Sequence, residues 1–586
     1  MADSDSEFEG FSPDDIYEIP RRDPVSDVEI SDISSDDLSS DSDSSEVEEL
    51  YAWQLENDSD SDTPLDDLRP LVNYRNWTRN IRSRYVRDFI HDSGPNLTEI
   101  PNQQHKFFDM MFDPNFFEII AEETNRYARQ EIQRKQQQGG RGDDVWEAQG
   151  ETTANEMRAF FSVMIIMGIH NLTRVEDFWS SDDRLRVEGV AKIMPIQRWR
   201  KLNQYIHLTN NRDQPDPTDP DRDRLFKVRP LVDMCNRNFT SDIYRPSRNL
   251  SVDEAMIGFK GRSLLKQYIP NKPTKWGLKS WMLADSHTGF CVQADIYTGA
   301  KGGQGSTEGL GYKVVMGMAR HVQGKHHHLF FDNYFTSPKL LIDLVPMQIY
   351  STGTVRPNRK GLPPNFSDKD KKADRGKSAF WQKGDIVAVK WKDNNFVHLI
   401  STSCDDTMRQ ASRRVGGQLV NIPCPDMVKT YNKYMGGVDL NDQLRSYHPV
   451  GRKAKKYWKY ILWFYVDLCL INSWILYKLA VTDKPKKTYS QQDFRLDVCD
   501  GLVAGFTSRK RRLSQVRVLS AIVNQENVGG HVLVKFQGRK RVCVMCSRKK
   551  RKTDSGRPVE STFGCQQCSV NLCKDGCHTE FHAISE

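Results

Sequence analysis

The first 67 residues contain only two basic side chains, Arg21 and Arg22, against 24 Asp and Glu. They are also poor in apolar residues, so burial cannot offset the chain entropy lost on folding, and a disordered acidic tail (1–67) is expected. The opening MADSDSEFEG has neither a basic n-region nor an apolar h-region, which argues against secretion through a signal peptide. Cysteine is sparse until residue 543; six of the 12 then fall between Cys543 and Cys577. Without a secretory signal, that clustering favours metal binding over disulfides and an intracellular protein. No clean apolar run is long enough to read as a membrane span. The nearest candidate, Ile461–Ala480, carries Asp467, Asn472 and Ser473 and reads as a buried helix. The glycine-rich run GAKGGQGSTEGLG (299–311) is not followed by Gly-Lys-Ser/Thr, which excludes a phosphate-cradling nucleotide loop. No internal repeat is visible.

What is present is a charge division. The chain of 586 residues has a formal charge of +6, but the acidic tail carries −22 and the remainder +28. A strongly basic body points to a polyanionic partner. Ser39, Ser40 and Ser42 stand just before acids, a context for an acid-directed kinase, and phosphorylation would deepen the tail's charge. Residues 68–247 read as helical, with Gln104–Phe112, Phe116–Gln138 and Asn155–Ile169 apolar at three- and four-residue spacing. From 248 to 355 the texture turns to short strands, Asn249–Phe259, Lys279–Ser286, Phe290–Tyr297, His327–Phe331 and Gln348–Val355, with a helix before the fourth. This order predicts an α+β, multidomain chain whose core is a mixed sheet covered by helices. Residues 356–428 look inserted and β-rich, 429–480 return to helix, 481–540 form a basic linker, and 541–586 form the cysteine-rich end.

Three acids stand out by placement. Asp253 lies inside the first strand (SVDEAMIGFKGR), Asp332 ends an apolar strand (LFFDNYFTS), and Asp439 opens a helical stretch (NKYMGGVDLNDQL) with Asp442 one turn on. Each alone reads more readily as a turn or cap residue, except that the apolar strand before Asp332 argues that an acid there needs a partner. Together, an oxygen-only cluster at one sheet edge suits Mg²⁺ or Mn²⁺, and such ions activate a water or 3′-hydroxyl in phosphodiester cleavage. Glu254 is expected on the opposite sheet face. His326–His328 alternate faces and are not read as a shared metal site.

These three motifs, in this order and with KQYIPNKPTKWGLK (266–279) between the first two, resemble the piggyBac transposase family over about residues 80–586. The resemblance implies an RNase H-like core with Asp253, Asp332 and Asp439 as its aspartate triad and Asp442 as a nearby fourth acid. It further implies cut-and-paste transposition of double-stranded DNA at TTAA sites, on terminal repeats, by a homodimer in the nucleus. No departure from the triad pattern is visible. The rival expectation is a domesticated, non-catalytic DNA- or chromatin-binding protein derived from a transposase.

The C-terminus reads CVMC (543–546), CQQC (565–568), then Cys573, Cys577, His578 and His582. These are up to eight ligands, enough for two tetrahedral Zn²⁺ sites in a segment with little apolar content of its own. A crossed-brace arrangement like that of the family's cysteine-rich domain groups Cys543, Cys546, Cys573 and Cys577 on one ion and Cys565, Cys568, His578 and His582 on the other. The adjacency of Cys577 and His578 leaves that division open. Standing alone, such a module also fits a RING- or PHD-like reading, and a zinc-dependent ubiquitin ligase would leave the upstream residues unexplained. Residues 451–586 carry a net +15, including RKRR (509–512) and RKKRK (548–552). Arg452, Lys453, Lys455 and Lys456 mix with aromatics as backbone-tracking candidates, and Lys260, Arg262, Lys272 and Lys275 near the first aspartate are candidates for steering DNA.

Overall fold

A computed structural model describes residues 76–508 and 531–583, apart from short stretches at 84, 141, 217, 220–221, 270–273, 300–308, 368–372, 416–417 and 482–487. The acidic tail, Lys272 and the RKRR run lie outside the described residues. The helical expectations for the first half appear as α1 (Gln104–Met111), α2 (Phe116–Gln137) and α3 (Ala154–His170). The Thr153 hydroxyl accepts from the Glu156 amide to start α3, and Asn171 ends it in the left-handed region. Phe107, Phe108, Phe117, Phe160 and Phe161 from these helices are fully buried, where three- and four-residue spacing places them on inward faces. Next come α4 (Ile196–Tyr205) and α5 (Arg229–Phe239), whose Leu231, Val232 and Cys235 join the same core.

Among the described residues the main sheet has nine strands. Eight are β1 (Asn249–Gly258), β2 (Lys266–Tyr268), β3 (Trp276–Asp285), β4 (Cys291–Ile296), β5 (His328–Phe331), β6 (Tyr350–Thr354), β7 (Ser378–Lys383) and β8 (Ile386–Lys392). The ninth, β9 (Phe396–Ser401), pairs with β6 and β8. Across the centre the order is β4-β3-β1-β5-β6, antiparallel for the first two steps and parallel from β1 to β5 and from β5 to β6. An antiparallel meander followed by two parallel strands is the RNase H-like arrangement. Helix α6 (Gly309–Ala319) supplies the crossover between β4 and β5, and α7 (Pro338–Leu344) that between β5 and β6.

The segment read as an insertion adds strands to the main sheet. Leu399 to Ser401 pair antiparallel with Thr354 to Thr352, so β9, β8 and β7 extend the same sheet beyond β6. Its β-rich character was visible in the sequence; its attachment to an open core edge was not. A second hairpin, Met408–Val415 with Gln418–Pro425, leads into α8 (Asp426–Tyr434) and α9 (Gly437–Ser446).

The 24-residue helix α10 (Tyr457–Ala480) is long and apolar enough to cross a membrane, yet it is buried along nearly its whole length inside the protein. Its polar residues serve the interior. The Asn472 amide oxygen accepts from the Cys291 amide at 2.9 Å and its Nδ2 donates to the Cys291 carbonyl at 2.8 Å. The Tyr465 hydroxyl and the Asn236 amide both donate to the Ala294 carbonyl, at 2.5 and 2.9 Å. Side chains thus satisfy backbone groups of β4, which no further strand among the described residues covers. Asp467 is buried against fully buried Arg495 of α11 (Gln491–Val503), whose Nη1 and Nη2 donate at 3.3 and 3.2 Å, while the Val450 amide donates at 3.0 Å. Burial pushes the Asp467 carboxyl up to about 6 against the pull of Arg495 and Arg445.

Replacing Arg495 leaves that carboxylate buried without its partner. Arg495→Met is expected to lose about 3–5 kcal/mol of stability near neutral pH, read from urea or thermal unfolding. An acid whose folded pKa lies above its unfolded value supports the fold at low pH and withdraws support as pH rises through about 6. The deficit should therefore be smaller near pH 5 than near pH 8; a deficit independent of pH would show that Asp467 is not its source.

Candidate active site and zinc centres

Register brings the first two aspartates together. Val252 of β1 is paired in parallel with Phe331 of β5, so Asp253 and Asp332 are the next residues on adjacent strands, whose axes lie about 4.8 Å apart. One oxygen of each carboxylate is held by the backbone: the Glu254 amide donates to Asp253 Oδ1 at 2.7 Å and the Tyr334 amide to Asp332 Oδ1 at 2.9 Å. The Thr336 hydroxyl donates to the Asp332 carbonyl at 2.6 Å, tying the turn beyond β5. Helix α9 brings the third. The Val438 amide donates to Ser251 Oγ at 3.2 Å, and a Cβ at Gly437 would come within 2.6 Å of the same oxygen, so only glycine allows this approach. Ser251 shares the β1 face of Asp253, and Asp439 occupies the first turn of the docked helix.

The three carboxylates act on one group. Tyr431 of α8 is pushed up to about 12 by burial, eased by the Thr354 hydroxyl at 3.4 Å, and raised further by the charges of Asp332, Asp253 and Asp439. Asp442, one turn beyond Asp439, is ion-paired with Arg445. Among the described residues, three or more Cys, His, Asp or Glu ligand atoms come within 4.8 Å of one another in two clusters, both in the C-terminal segment. The three aspartates are not among these clusters, and their charges act together on Tyr431. As an all-oxygen donor set they match a hard divalent cation rather than zinc.

The neighbours are accounted for. Glu254 pairs with Lys279 at 2.9 Å, away from Asp253. His327 Nδ1 lies 2.9 Å from the Ser247 carbonyl and His328 Nε2 2.8 Å from Thr352 Oγ1. Burial lowers these imidazoles to about 4 and about 3, so both are neutral internal residues. Of the basic candidates, Lys260, Arg262, Lys275, Lys453, Lys455 and Lys456 are exposed. Lys456 also lies 5.2 Å from the centre of the Tyr127 ring. Arg452 differs: its Nη2 donates to the Leu172 and Thr173 carbonyls at 2.5 and 3.3 Å, and the guanidinium lies over Phe178. It clasps a loop rather than presenting its charge to a ligand.

The C-terminal segment holds two ligand clusters. Cys543, Cys546, Cys573 and Cys577 form one, with Cys546 Sγ 3.7 Å from both Cys573 Sγ and Cys577 Sγ. A tetrahedron with Zn–S bonds of about 2.3 Å has edges of about 3.8 Å, so the sulfurs fit that ion. The second cluster is His531, Cys565, Cys568 and His582. His531 Nδ1 lies 3.4 Å from both Cys565 Sγ and Cys568 Sγ, and His582 Nε2 lies 3.4 Å from Cys568 Sγ. The Cys546 amide donates to Cys543 Sγ and the Cys568 amide to Cys565 Sγ, both at 3.5 Å, the same turn closing each Cys-x-x-Cys pair.

His578 is therefore corrected: it is outside the second cluster, and His531 takes the place expected for it. His578 is fully buried, and its carbonyl lies 2.7 Å from His582 Nδ1, leaving Nε2 of that ring facing Cys568. His531 was missed because it lies 12 residues before the first cysteine. Pairing of Leu533 with Cys565 brings it in. The one sequence signal was a second set short of an unambiguous fourth ligand.

A family model described as Transposase IS4 matches residues 104–474, and one described as a DDE_Tnp_1-like zinc finger matches 526–583. Human PiggyBac transposable element-derived protein 3 is 27% identical over 73% of this chain and 70% of its own length. Human PiggyBac transposable element-derived proteins 2 and 5 are each 25% identical, over 82% and 71% of this chain and 76% and 79% of theirs. The fold matches that of a piggyBac transposase solved by cryo-EM as a synaptic complex with hairpin DNA. Its TM-score is 0.63 at 24% identity, covering 83% of this chain and 99% of that one.

Purified protein is expected to carry about two zinc equivalents. His531→Ala should drop the content to about one, whereas His578→Ala should keep both, as measured by elemental analysis. The reverse pattern would return the fourth position to His578.

Proposed function

The chain belongs to the piggyBac-type transposase family, and from that premise we propose that it is an active, divalent-metal-dependent DNA transposase that cuts and rejoins transposon ends at TTAA targets. The observation that carries this reading is the convergence of Asp253, Asp332 and Asp439, far apart in sequence, through the β1–β5 register and the seating of α9 on Ser251. These carboxylates would hold Mg²⁺ or Mn²⁺. When bound, such an ion polarises a phosphoryl oxygen and lowers the pKa of an attacking water or 3′-hydroxyl. The chain's own part is positional. Backbone amides fix the orientation of Asp253 and Asp332, and Asp439 is carried on a helix whose approach is set by Gly437. Tyr431, with a pKa about 12, stays protonated at neutral pH and adds a dipole without charge. Asp442, through Arg445, supports α9 one turn from Asp439.

The substrate in this reading is double-stranded DNA. Its supports are the net +15 over residues 451–586, the exposed Lys453, Lys455 and Lys456, and the hairpin DNA in the solved structure of similar fold. The two-zinc segment would grip terminal-repeat DNA. A homodimer, a nuclear location served by RKKRK (548–552), and phosphorylation of the acidic tail by an acid-directed kinase complete the reading.

Excision of a reporter flanked by the cognate ends tests it. Wild-type protein should excise and leave TTAA restored. Asp332→Ala should lower excision by about 100-fold or more while binding the ends within about threefold of wild type. Binding without excision by the wild type, given intact ends and Mg²⁺, would leave a non-catalytic DNA-binding protein of transposase ancestry.

A further inference from the structure

Between the first two aspartate strands, the chain makes a hairpin that the catalytic reading does not use. Residues 260–279 contain six Lys and Arg and no Asp or Glu. Within it, Tyr268 of β2 stands directly opposite Trp276 of β3, with ring centroids 4.6 Å apart and planes inclined at 40°. Each ring is 50% exposed, and Leu264, two residues before β2, is 88% exposed. Lys266 Nζ lies 4.7 Å from the Trp276 ring centre, and Lys275 is exposed beside it. Large half-exposed aromatics cost hydration free energy, and a cross-strand pair holds them in one geometry, so they form a rigid apolar step on an otherwise cationic projection.

The position is defined by the sheet. Asp253 is paired with Met282, and alternation along β3 puts Trp276 on the face of Met282, six residues away. At about 3.3 Å per residue, the aromatic pair lies about 20 Å from the level of Asp253 on the same sheet face. The cations exclude an acid-poor apolar partner as the natural occupant and favour a polyanion, and every nucleobase has a π-face that such a step can accept. Paired bases inside a duplex offer no open face; an unstacked one does.

We propose that Tyr268 and Trp276 form a stacking platform for an unstacked base of the bound DNA, and that the lysines around them hold its flanking phosphates. This rests on the DNA reading above and deepens it: the hairpin selects distorted over regular duplex at a second point away from the aspartates. Stacking of one base is worth about 5- to 150-fold in affinity.

The test uses full-length zinc-loaded protein and two probes, a fully paired 30-mer duplex and the same duplex with a central single-base bulge. Wild type is expected to prefer the bulged probe by at least about fivefold. Trp276→Ala and Tyr268→Ala should abolish that preference, leave affinity for the paired duplex within about twofold and leave the salt slope unchanged, because neither ring contacts phosphate. Trp276→Phe, which keeps a ring, should retain most of the preference, and Lys275→Ala should lower the salt slope on both probes. Unchanged zinc content and melting temperature would confirm that the variants fold. If wild type binds both probes equally, or the Ala variants weaken both equally, the platform is refuted while DNA binding stands. If wild type binds neither probe, the DNA reading falls and the platform with it.

Discussion

The parallel register of β1 against β5 is the constraint on which the rest of the site depends. Val252 opposite Phe331 makes Asp253 and Asp332 neighbours, and a slip by one residue would send one of the two to the opposite face of the sheet. Such a register is held from several sides. Leu250, Val252, Leu329 and Phe331 are buried completely, so a slip would expose apolar side chains or bury the acids. The Asp285 carboxylate, itself fully buried, accepts from the Tyr244 hydroxyl and from the Ser247 amide and hydroxyl, anchoring the entry to β1 against the end of β3. The cost of placing acids at the ends of apolar strands is met partly by the amides that bind them, and the proposed cation would meet the remainder.

The sheet is unusual in how its ends are closed. On one side, α10 and α5 satisfy β4 with Asn472, Tyr465 and Asn236 in place of another strand. On the other, the hairpins after β6 continue the ladder to β7. That extension matters to the candidate site, because the chain leaves it through α8, which carries Tyr431 back to Thr354 and then turns into α9. The segment read as an insertion in the sequence is therefore the route by which the third aspartate reaches the first two.

The C-terminal segment is organised by different physics. Its small apolar cluster is built largely from the cysteines themselves, with Met545 and Leu572. Two ligand sets interleaved along the chain tie His531 to the region around Cys565 and the first Cys-x-x-Cys to the last helix. Metal ligation replaces the hydrophobic core that so short a segment cannot build.

Several features were legible in the amino-acid order because they depend on local periodicity and residue chemistry. Helices α1 to α3 followed from three- and four-residue apolar spacing, the strands around Asp253 and Asp332 from β-type runs, and the buried reading of α10 from an aspartate no lipid would accept. The three motifs in order also sufficed to point to the family. Other features depended on contacts between distant segments, which spacing does not encode. His531 joins the second cluster through a strand pairing some 34 residues away in sequence, and Arg452, an ordinary cation in the sequence, is spent on the Leu172 carbonyl. Sequence by itself determined the parts, since propensity and ligand type are properties of short stretches. Tertiary structure alone decided which parts meet, because register, edge pairing and burial are settled only when the whole chain competes for the same surfaces.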